Sequence, residues 1–381
     1  MTINYSATLG SATYIQRLRA FIKAVEGEKF SPYVDITGNP TIGWGFALNA
    51  AHLTTKKALV DIIETVLGVN TPNRMLSQTA SDSEQGFENS LIATLNKTWP
   101  ADLTKNQNGP STLALQVALN AILASRAADI ANGTNGYTAS DKAAIGTPSL
   151  EFKYSTADQI SATFNIIKAV IDARLDSSPW VTVPDTNERI AFFAMQYLGA
   201  MNSGMKDSLN TALNQSDPND ARAQAWYTIR YLNKLGWEQR SYMEAAMFGL
   251  VAPGQAMTDG AALATYRIYT QHATTMQLYD KAHSVALSNA NSALGSLADA
   301  EDLPTSLQPA ANQLIQDYGH GKTFDPLHIW VASAGDSKID RARDSAADLI
   351  IGGFCNDTLV GVRKLGSKPL FDDFLRKVTV F

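Results

Sequence analysis

Apolar side chains recur at intervals of three and four residues along most of this 381-residue chain, the spacing of one face of an α-helix. The first such segment is 12–25, where Ile15, Leu18 and Ile22 form one apolar stripe. Gly27 follows directly and is a common stop signal. The pattern predicts a mainly α fold whose first helix ends close to residue 26.

The same spacing predicts further helices. They start after Thr54 and continue at 112–131, 156–175, 187–201, 219–233 and 238–250, and the alanine-rich stretch 261–300 is expected as one long helix or a pair. The stretch 70–110 is polar, and 132–153 is expected to be a loop.

The tail has a less regular pattern. Pro304 and Pro309 are expected to interrupt the helical pattern, and from residue 311 onwards helical segments such as 338–351 should alternate with glycine-rich turns. No internal repeat is evident in the sequence.

Residues 30–47 break the helical pattern. Glycines and prolines alternate there with Tyr, Val, Thr, Ile, Trp and Phe, a mixture that predicts a short, turn-rich β-hairpin. The predicted fold class is therefore mainly α. It would have a small β-hairpin lobe, a helical lobe and added helical regions.

Composition excludes some function classes. The formal net charge is −5 and no long Lys/Arg run occurs, which disfavours nucleic-acid binding. The single cysteine, Cys355, cannot form an intramolecular disulfide or a Cys-based zinc site, and the five histidines are scattered. No stretch approaches the roughly 20 apolar residues of a membrane span. The N-terminus lacks a Sec signal pattern, so we expect synthesis in the cytoplasm.

Two carboxylic acids near the predicted hairpin are candidates for acid–base chemistry. Glu26 falls on the apolar side of the first helix, where desolvation would raise its pKa as a general acid requires. Asp35 lies among polar turn residues and is expected to stay ionised. Unlike surroundings let two carboxyls divide the acid and base roles. The alternative is a helix-end Glu and a turn Asp that are both simply solvated.

The surrounding pattern resembles the phage-type lysozymes, glycoside hydrolase family 24. That family has a Glu closing the first helix, an Asp nine residues on and a Thr six further, followed by Ile-Gly-x-Gly. Here these are Glu26, Asp35, Thr41 and the run Ile42-Gly43-Trp44-Gly45. The family often has His next, where this chain has Phe46, and we expect altered packing there rather than lost catalysis.

A second block carries the same resemblance. The run from Gly236 to Phe248 is similar to the family's Gly-Leu-x-x-Arg-Arg-x-x-Glu-x-x-Leu-Phe helix, with Trp237 and Ser241 as departures. The stretches 187–204 and 156–175 resemble the central helix of the C-terminal lobe and the helix that joins the lobes.

The resemblance implies an α+β lysozyme-like core and divides the chain into four regions. Residues 1–49 would hold the first helix and the catalytic hairpin, 50–154 a helical insertion, 155–250 the C-terminal helical lobe, and 251–381 a mostly helical extension of unknown role.

The resemblance also implies a reaction, the hydrolysis of the β-1,4 bond between N-acetylmuramic acid and N-acetylglucosamine. Glu26 would protonate the leaving oxygen, and Asp35 with Thr41 would place the attacking water, with inversion. Arg240 would orient Glu26, and Tyr33, Gln196 and Tyr197 would line the cleft. Surface exposure of Arg240 and core packing of the other three are the competing interpretations. No cofactor or metal is required.

The biological setting stays open. An antibacterial effector or toxin would act on peptidoglycan in the periplasm or wall of a target cell, with an immunity protein or a secretion-system carrier as a possible partner. The alternatives are a phage endolysin or virion-associated lysozyme, and a non-catalytic peptidoglycan-binding module.

Overall fold

The chain divides into two compact units. The hairpin unit is Ile22–Arg174, and the helical unit is Met1–Phe21 with Leu175–Phe381. The computed structural model describes residues 3–49, 56–68, 76–101, 109–176, 183–197, 199–232, 236–252, 254–332, 338–340, 348–352, 358–360 and 378–380.

Helices make up most of the described chain and a small antiparallel sheet accompanies them, which confirms the predicted fold class. The helices are α1 (Ser11–Glu26), α2 (Lys56–Leu67), α3 (Gln78–Leu95), α4 (Pro110–Asn132), α5 (Ala139–Ile145), α6 (Ala157–Asp176), α7 (Asn187–Tyr197), α8 (Ser203–Leu213), α9 (Pro218–Tyr231), α10 (Glu238–Phe248), α11 (Asp259–Ala282), α12 (Ser284–Leu294) and α13 (Leu303–Tyr318).

The predicted hairpin is a three-stranded antiparallel sheet in the hairpin unit. Its strands are β1 (Lys29–Val34), β2 (Pro40–Gly43) and β3 (Phe46–Ala47), with β2 in the centre. Thr41 is opposite Tyr33 on one side and Ala47 on the other. Because directly opposed residues share a face, these three side chains line the same side of the sheet.

Two helices of the hairpin unit lie where the sequence lacks a clear helical pattern. α3 begins in the polar stretch after Ser77, whose side chain accepts a hydrogen bond from the N–H of Ala80. α5 lies in the expected loop and begins with a capping box between Thr138 and Asp141. The expectation of an uninterrupted loop at 132–153 is therefore wrong, because local capping starts a helix that apolar spacing does not reveal.

α3 and α4 pack together through a buried ion pair. Arg126 of α4 donates two hydrogen bonds to Glu84 of α3, at 2.8 and 2.7 Å. In the part of the chain that the structure describes, α4 is the one helix long and apolar enough to cross a membrane. One such helix is weak evidence for a membrane span, because core helices of soluble proteins meet the same test.

In the helical unit, the stretch 261–300 forms two helices, α11 and α12, which meet at His283. The helical stretch 261–300 does end before Pro304, since α12 stops at Leu294, but Pro309 does not interrupt a helix. Pro304 lies in the first turn of α13, where its missing N–H costs nothing, and α13 continues through Pro309. Burial of Leu307, Ala311 and Leu314 against neighbours offsets the lost backbone hydrogen bond.

The tail contains strands where a helix was predicted. The strands are β4 (Ile329–Val331), β5 (Lys338–Asp340), β6 (Leu349–Ile351), β7 (Thr358–Val360) and β8 (Val378–Val380). The predicted helix at 338–351 is wrong, because its two ends are β5 and β6. A short apolar run such as Leu349–Ile351 is compatible with either structure, and here it pairs along its whole length with β4.

The tail strands also contain a structural repeat. Ile329 pairs with Leu349 and Lys338 pairs with Thr358, so both parallel pairings join residues 20 apart (349 − 329 and 358 − 338). β8 closes the larger sheet by pairing antiparallel to β6. The stretches 329–340 and 349–360 have no identical residue at this offset, so the repeat is not evident in the sequence.

Candidate functional site

The turn between β1 and β2 is organised by the side chain of Asp35. Its Oδ1 accepts hydrogen bonds from the N–H and the hydroxyl of Thr37, at 2.8 and 2.7 Å, and from the N–H of Asn39 at 2.8 Å. Its Oδ2 accepts a single long hydrogen bond of 3.4 Å from the amide of Asn39. Oδ2 is therefore the carboxylate oxygen with capacity for a further donor.

Gly38 makes this turn possible. Its φ is +86°, in the left-handed region, and an added Cβ would collide with the carbonyl oxygen of Trp99. Glycine is the residue that accepts this backbone conformation without a steric cost.

Thr41 lies in the central strand and is 3% exposed. Its hydroxyl donates to the carbonyl oxygen of Asn39 at 3.1 Å, and the same carbonyl accepts the N–H of Asp35 at 3.0 Å. Asp35 and Thr41 are thus held by a common neighbour. A hydroxyl that donates within the protein keeps its lone pairs to accept a hydrogen bond from water.

Two side chains of α4 are hydrogen-bonded to the backbone of strand β1. The hydroxyl of Thr112 accepts a hydrogen bond of 3.0 Å from the N–H of Val34, and the amide of Gln116 donates to the carbonyl oxygen of Pro32 at 2.8 Å. β1 is therefore anchored to a long helix immediately before Asp35, which restricts the position of that carboxylate.

Glu26 is the last residue of α1 and is partly buried. Its carboxyl lies against the Cα of Gly45, in the turn between β2 and β3, at a point where an added Cβ would be 2.6 Å from Oε2. The φ of Gly45 is +76°. The glycine therefore provides both the turn and the space in which the carboxyl lies.

A third carboxylate near the sheet, Glu28, is not among the residues predicted from the sequence. Glu28 accepts hydrogen bonds from Lys23 at 2.6 Å and from the indole N–H of Trp44 at 3.2 Å. The hydrogen bond from Lys23 is the main reason that the pKa of Glu28 lies below its usual value, and Trp44 adds to this against the effect of burial. An acid held in its ionised form is a poor proton donor, so Glu28 does not suit the role of a general acid.

The aromatic residues of the hairpin divide between core and surface. Phe46, which stands where the family often has His, is 1% exposed and its ring lies 6.2 Å from that of Trp44. Trp44 also packs against Phe164 at 5.5 Å, and is 5% exposed. Tyr33 is half-buried beside Thr41 on the sheet face described above.

The remaining predicted site residues belong to the helical unit. Arg240 lies in the first turn of α10, half-buried, with its guanidinium 4.9 Å from the ring centre of Trp237. Gln196 and Tyr197 end α7 and are half-buried, and the Tyr197 ring stacks on Phe193 at 6.1 Å. Their predicted roles in orienting Glu26 and lining a cleft stay predictions.

Within the described ranges, no group of three or more His, Cys, Asp or Glu side chains could hold a metal ion. Cys355 and His52 lie outside those ranges. Glu26, Asp35, Thr41 and Tyr33 all belong to the hairpin unit and are positioned by one small sheet and its turns. A carboxyl at a helix end and a carboxylate with one open oxygen on a hairpin are the kinds of group that general acid–base chemistry uses.

A scan against protein-family models and searches of curated proteins and of solved structures found no match to this chain.

Proposed function

We propose that this protein is a peptidoglycan hydrolase, an N-acetylmuramidase that cleaves the β-1,4 bond between N-acetylmuramic acid and N-acetylglucosamine. The proposal rests on the resemblance to the phage-type lysozymes described above. The observation that carries it is the placement of Glu26, Asp35 and Thr41 around one three-stranded sheet, with the Glu26 carboxyl seated on Gly45.

Each of the three residues has a distinct role in the proposed reaction. Glu26 donates its proton to the glycosidic oxygen as the bond from that oxygen to the anomeric carbon breaks. A water molecule attacks the anomeric carbon from the opposite face, and Asp35 Oδ2 takes its proton. Thr41 accepts a hydrogen bond from the same water. The anomeric configuration inverts, which requires about 6.5–9.5 Å between the two carboxyls.

The hydrogen bonds of the turn support these roles, because they hold the Asp35 carboxylate in one orientation. Three donors occupy Asp35 Oδ1, so the carboxylate cannot rotate freely and one oxygen is left to meet the water.

The decisive experiment is digestion of purified peptidoglycan with mass spectrometry of the released fragments. Fragments ending in reducing muramic acid are expected, and anhydro-muramic ends would mean a lytic transglycosylase instead. Substitution of the acid in Glu26→Gln should lower the rate by about 10²–10⁴-fold. Glu151→Gln, an exposed glutamate of the same unit, is the matched control.

Equal digestion by the wild type and Glu26→Gln would contradict the assignment of the acid. Binding to peptidoglycan without any released fragment would mean a non-catalytic binding module.

We further propose that the setting is antibacterial, as an effector or toxin that acts on the wall of a target cell. The acidic balance of the chain and the large helical insertion between the hairpin and α6 support this over a compact phage endolysin. Lysis of bacteria that export the protein to the periplasm, together with rescue by a co-expressed neighbouring inhibitor gene, would favour the effector. A neighbouring holin gene would favour the endolysin.

A further inference from the structure

Asn39 connects the two hairpin residues that the proposed reaction uses. Its backbone N–H donates to Asp35 Oδ1 at 2.8 Å, and its carbonyl oxygen accepts the Thr41 hydroxyl at 3.1 Å. Among the residues that the structure describes, Asn39 is the one that is hydrogen-bonded to both Asp35 and Thr41. Asn39 is not among the site residues predicted from the sequence, where its position indicates an ordinary turn residue.

The side chain of Asn39 is itself held on two sides. Its Oδ1 accepts from the amide of Asn49 at 2.5 Å, and its Nδ2 donates to the hydroxyl of Thr37 at 2.6 Å. An amide is the group that presents an acceptor and donors at once. The acceptor contact with Asn49 directs the Nδ2 group towards Thr37 and Asp35.

The same Nδ2 lies 3.4 Å from Asp35 Oδ2, the oxygen assigned above to take the proton from water. This is the one side-chain donor that the described turn offers to that oxygen, and it is long, so Oδ2 keeps capacity for water. The contact defines where Oδ2 lies without saturating it.

We propose that Asn39 is a positioning residue that sets the orientation of Asp35 Oδ2 towards the attacking water, with Asn49 as its anchor. This inference rests on the proposed function. Asn39 does not touch the reacting atoms, and it acts through Asp35.

The test compares Asn39→Asp and Asn39→Ala with the wild type in peptidoglycan digestion, with kcat and KM measured separately. Asn39→Asp keeps the shape and the acceptor for Asn49, but it loses the donor and places a second negative charge beside Asp35. Because a like charge disfavours the ionised form of Asp35, kcat should fall about tenfold or more, with KM unchanged. Asn39→Ala should lose less than Asn39→Asp.

The order of the two kcat losses distinguishes a positioning role of Asn39 from a purely structural one. If Asn39 only fills space and stabilises the turn, the isosteric Asp should be the milder change and Ala the more damaging one. Asn49→Ala leaves Asn39 in place and should lower kcat by a smaller factor, which provides a second route if either Asn39 variant unfolds. Asn89→Asp, which adds the same charge at an exposed position of α3, should leave kcat unchanged.

Wild-type kcat in folded Asn39→Asp, or a larger loss in Asn39→Ala than in Asn39→Asp, would overturn the positioning role while leaving the muramidase proposal intact. A wild type that releases no muropeptides would overturn the proposed function, and the positioning role with it.

Discussion

The carboxyl group of Glu26 lies directly against the Cα of Gly45, so that a Cβ at residue 45 would be 2.6 Å from Oε2 and 2.9 Å from Cδ of Glu26. This contact joins the end of α1 to the turn between β2 and β3. The proposed acid is therefore held by the same sheet that carries Thr41, and its position depends on the absence of a side chain at residue 45.

The substitution Gly45→Ala should displace the Glu26 carboxyl and lower muramidase activity about a hundredfold, since a shift of about 1 Å in a reacting group can cost that much. The φ of +76° adds a conformational cost of about 1–2 kcal/mol for alanine. Digestion rates and the free energy of unfolding measured by urea denaturation check both effects.

Gly133→Ala is the matched control for that prediction. Gly133 ends α4 with a φ of 67°, and its nearest neighbour to an added Cβ is the carbonyl oxygen of Tyr137 at 3.4 Å. It should show a comparable loss of stability with full activity. A Gly45→Ala enzyme that digests peptidoglycan at the wild-type rate would show that the Glu26 position is not critical.

The Thr41 hydroxyl should matter both to stability and to the reaction. Thr41→Val keeps the shape but leaves the Asn39 carbonyl without the donor at 3.1 Å, which should cost about 1 kcal/mol of unfolding free energy. It should also lower kcat, whereas Thr41→Ser, which retains the hydroxyl, should restore most of it. Equal kcat values in Thr41→Val and Thr41→Ser would show that the Thr41 hydroxyl takes no part in the reaction.

The positions of Asp35 and Thr41 could be predicted from the sequence because turn chemistry is local. Glycine and proline around 38–40 mark the turn, and alternating apolar residues mark the strands. The helices at 12–25 and 156–175 were predicted to within a residue or two at each end, because their apolar stripes are long and regular.

The contacts of Asn39 and Glu28 could not be predicted, because they depend on pairs that only the fold brings together. Asn39 meets Asn49 across β2 and β3, and Glu28 meets Trp44 across the sheet. The predicted helix in the tail was wrong for a different reason. Short apolar runs such as Ile329–Val331 form strands because a partner 20 residues away completes the sheet, and local spacing does not contain that information.

The ion pair of Glu28 should make the stability of the hairpin unit depend on pH. Its pKa is lowered in the folded protein, chiefly by the hydrogen bond from Lys23, so the folded state favours the carboxylate. The stabilisation is fully present above the ordinary value of 4.5 and is lost as the pH falls through the lowered pKa. Because Lys23 is half-exposed, the contribution should be about 0.5 kcal/mol.

Glu28→Gln isolates this contribution, since the amide oxygen can still accept from Trp44 but the side chain does not titrate. The free energy of unfolding of the wild type should exceed that of Glu28→Gln near neutral pH, and the difference should vanish in acid. Lys23→Gln should flatten the same dependence. A difference that persists unchanged at pH values well below 4.5 would contradict the role given to Lys23.

The buried pair of Arg126 and Glu84 should dominate the stability of the α3–α4 hairpin. Their side chains are 4% and 7% exposed, and the hydroxyl of Tyr137 donates to Glu84 at 2.6 Å. Arg126→Leu leaves Glu84 buried without its cation, which should cost about 3–5 kcal/mol of unfolding free energy. The double variant with Glu84→Leu should recover much of that loss, because it removes the orphaned charge as well. Urea denaturation of the single and double variants measures the coupling, and strictly additive losses would contradict a paired burial of the two charges.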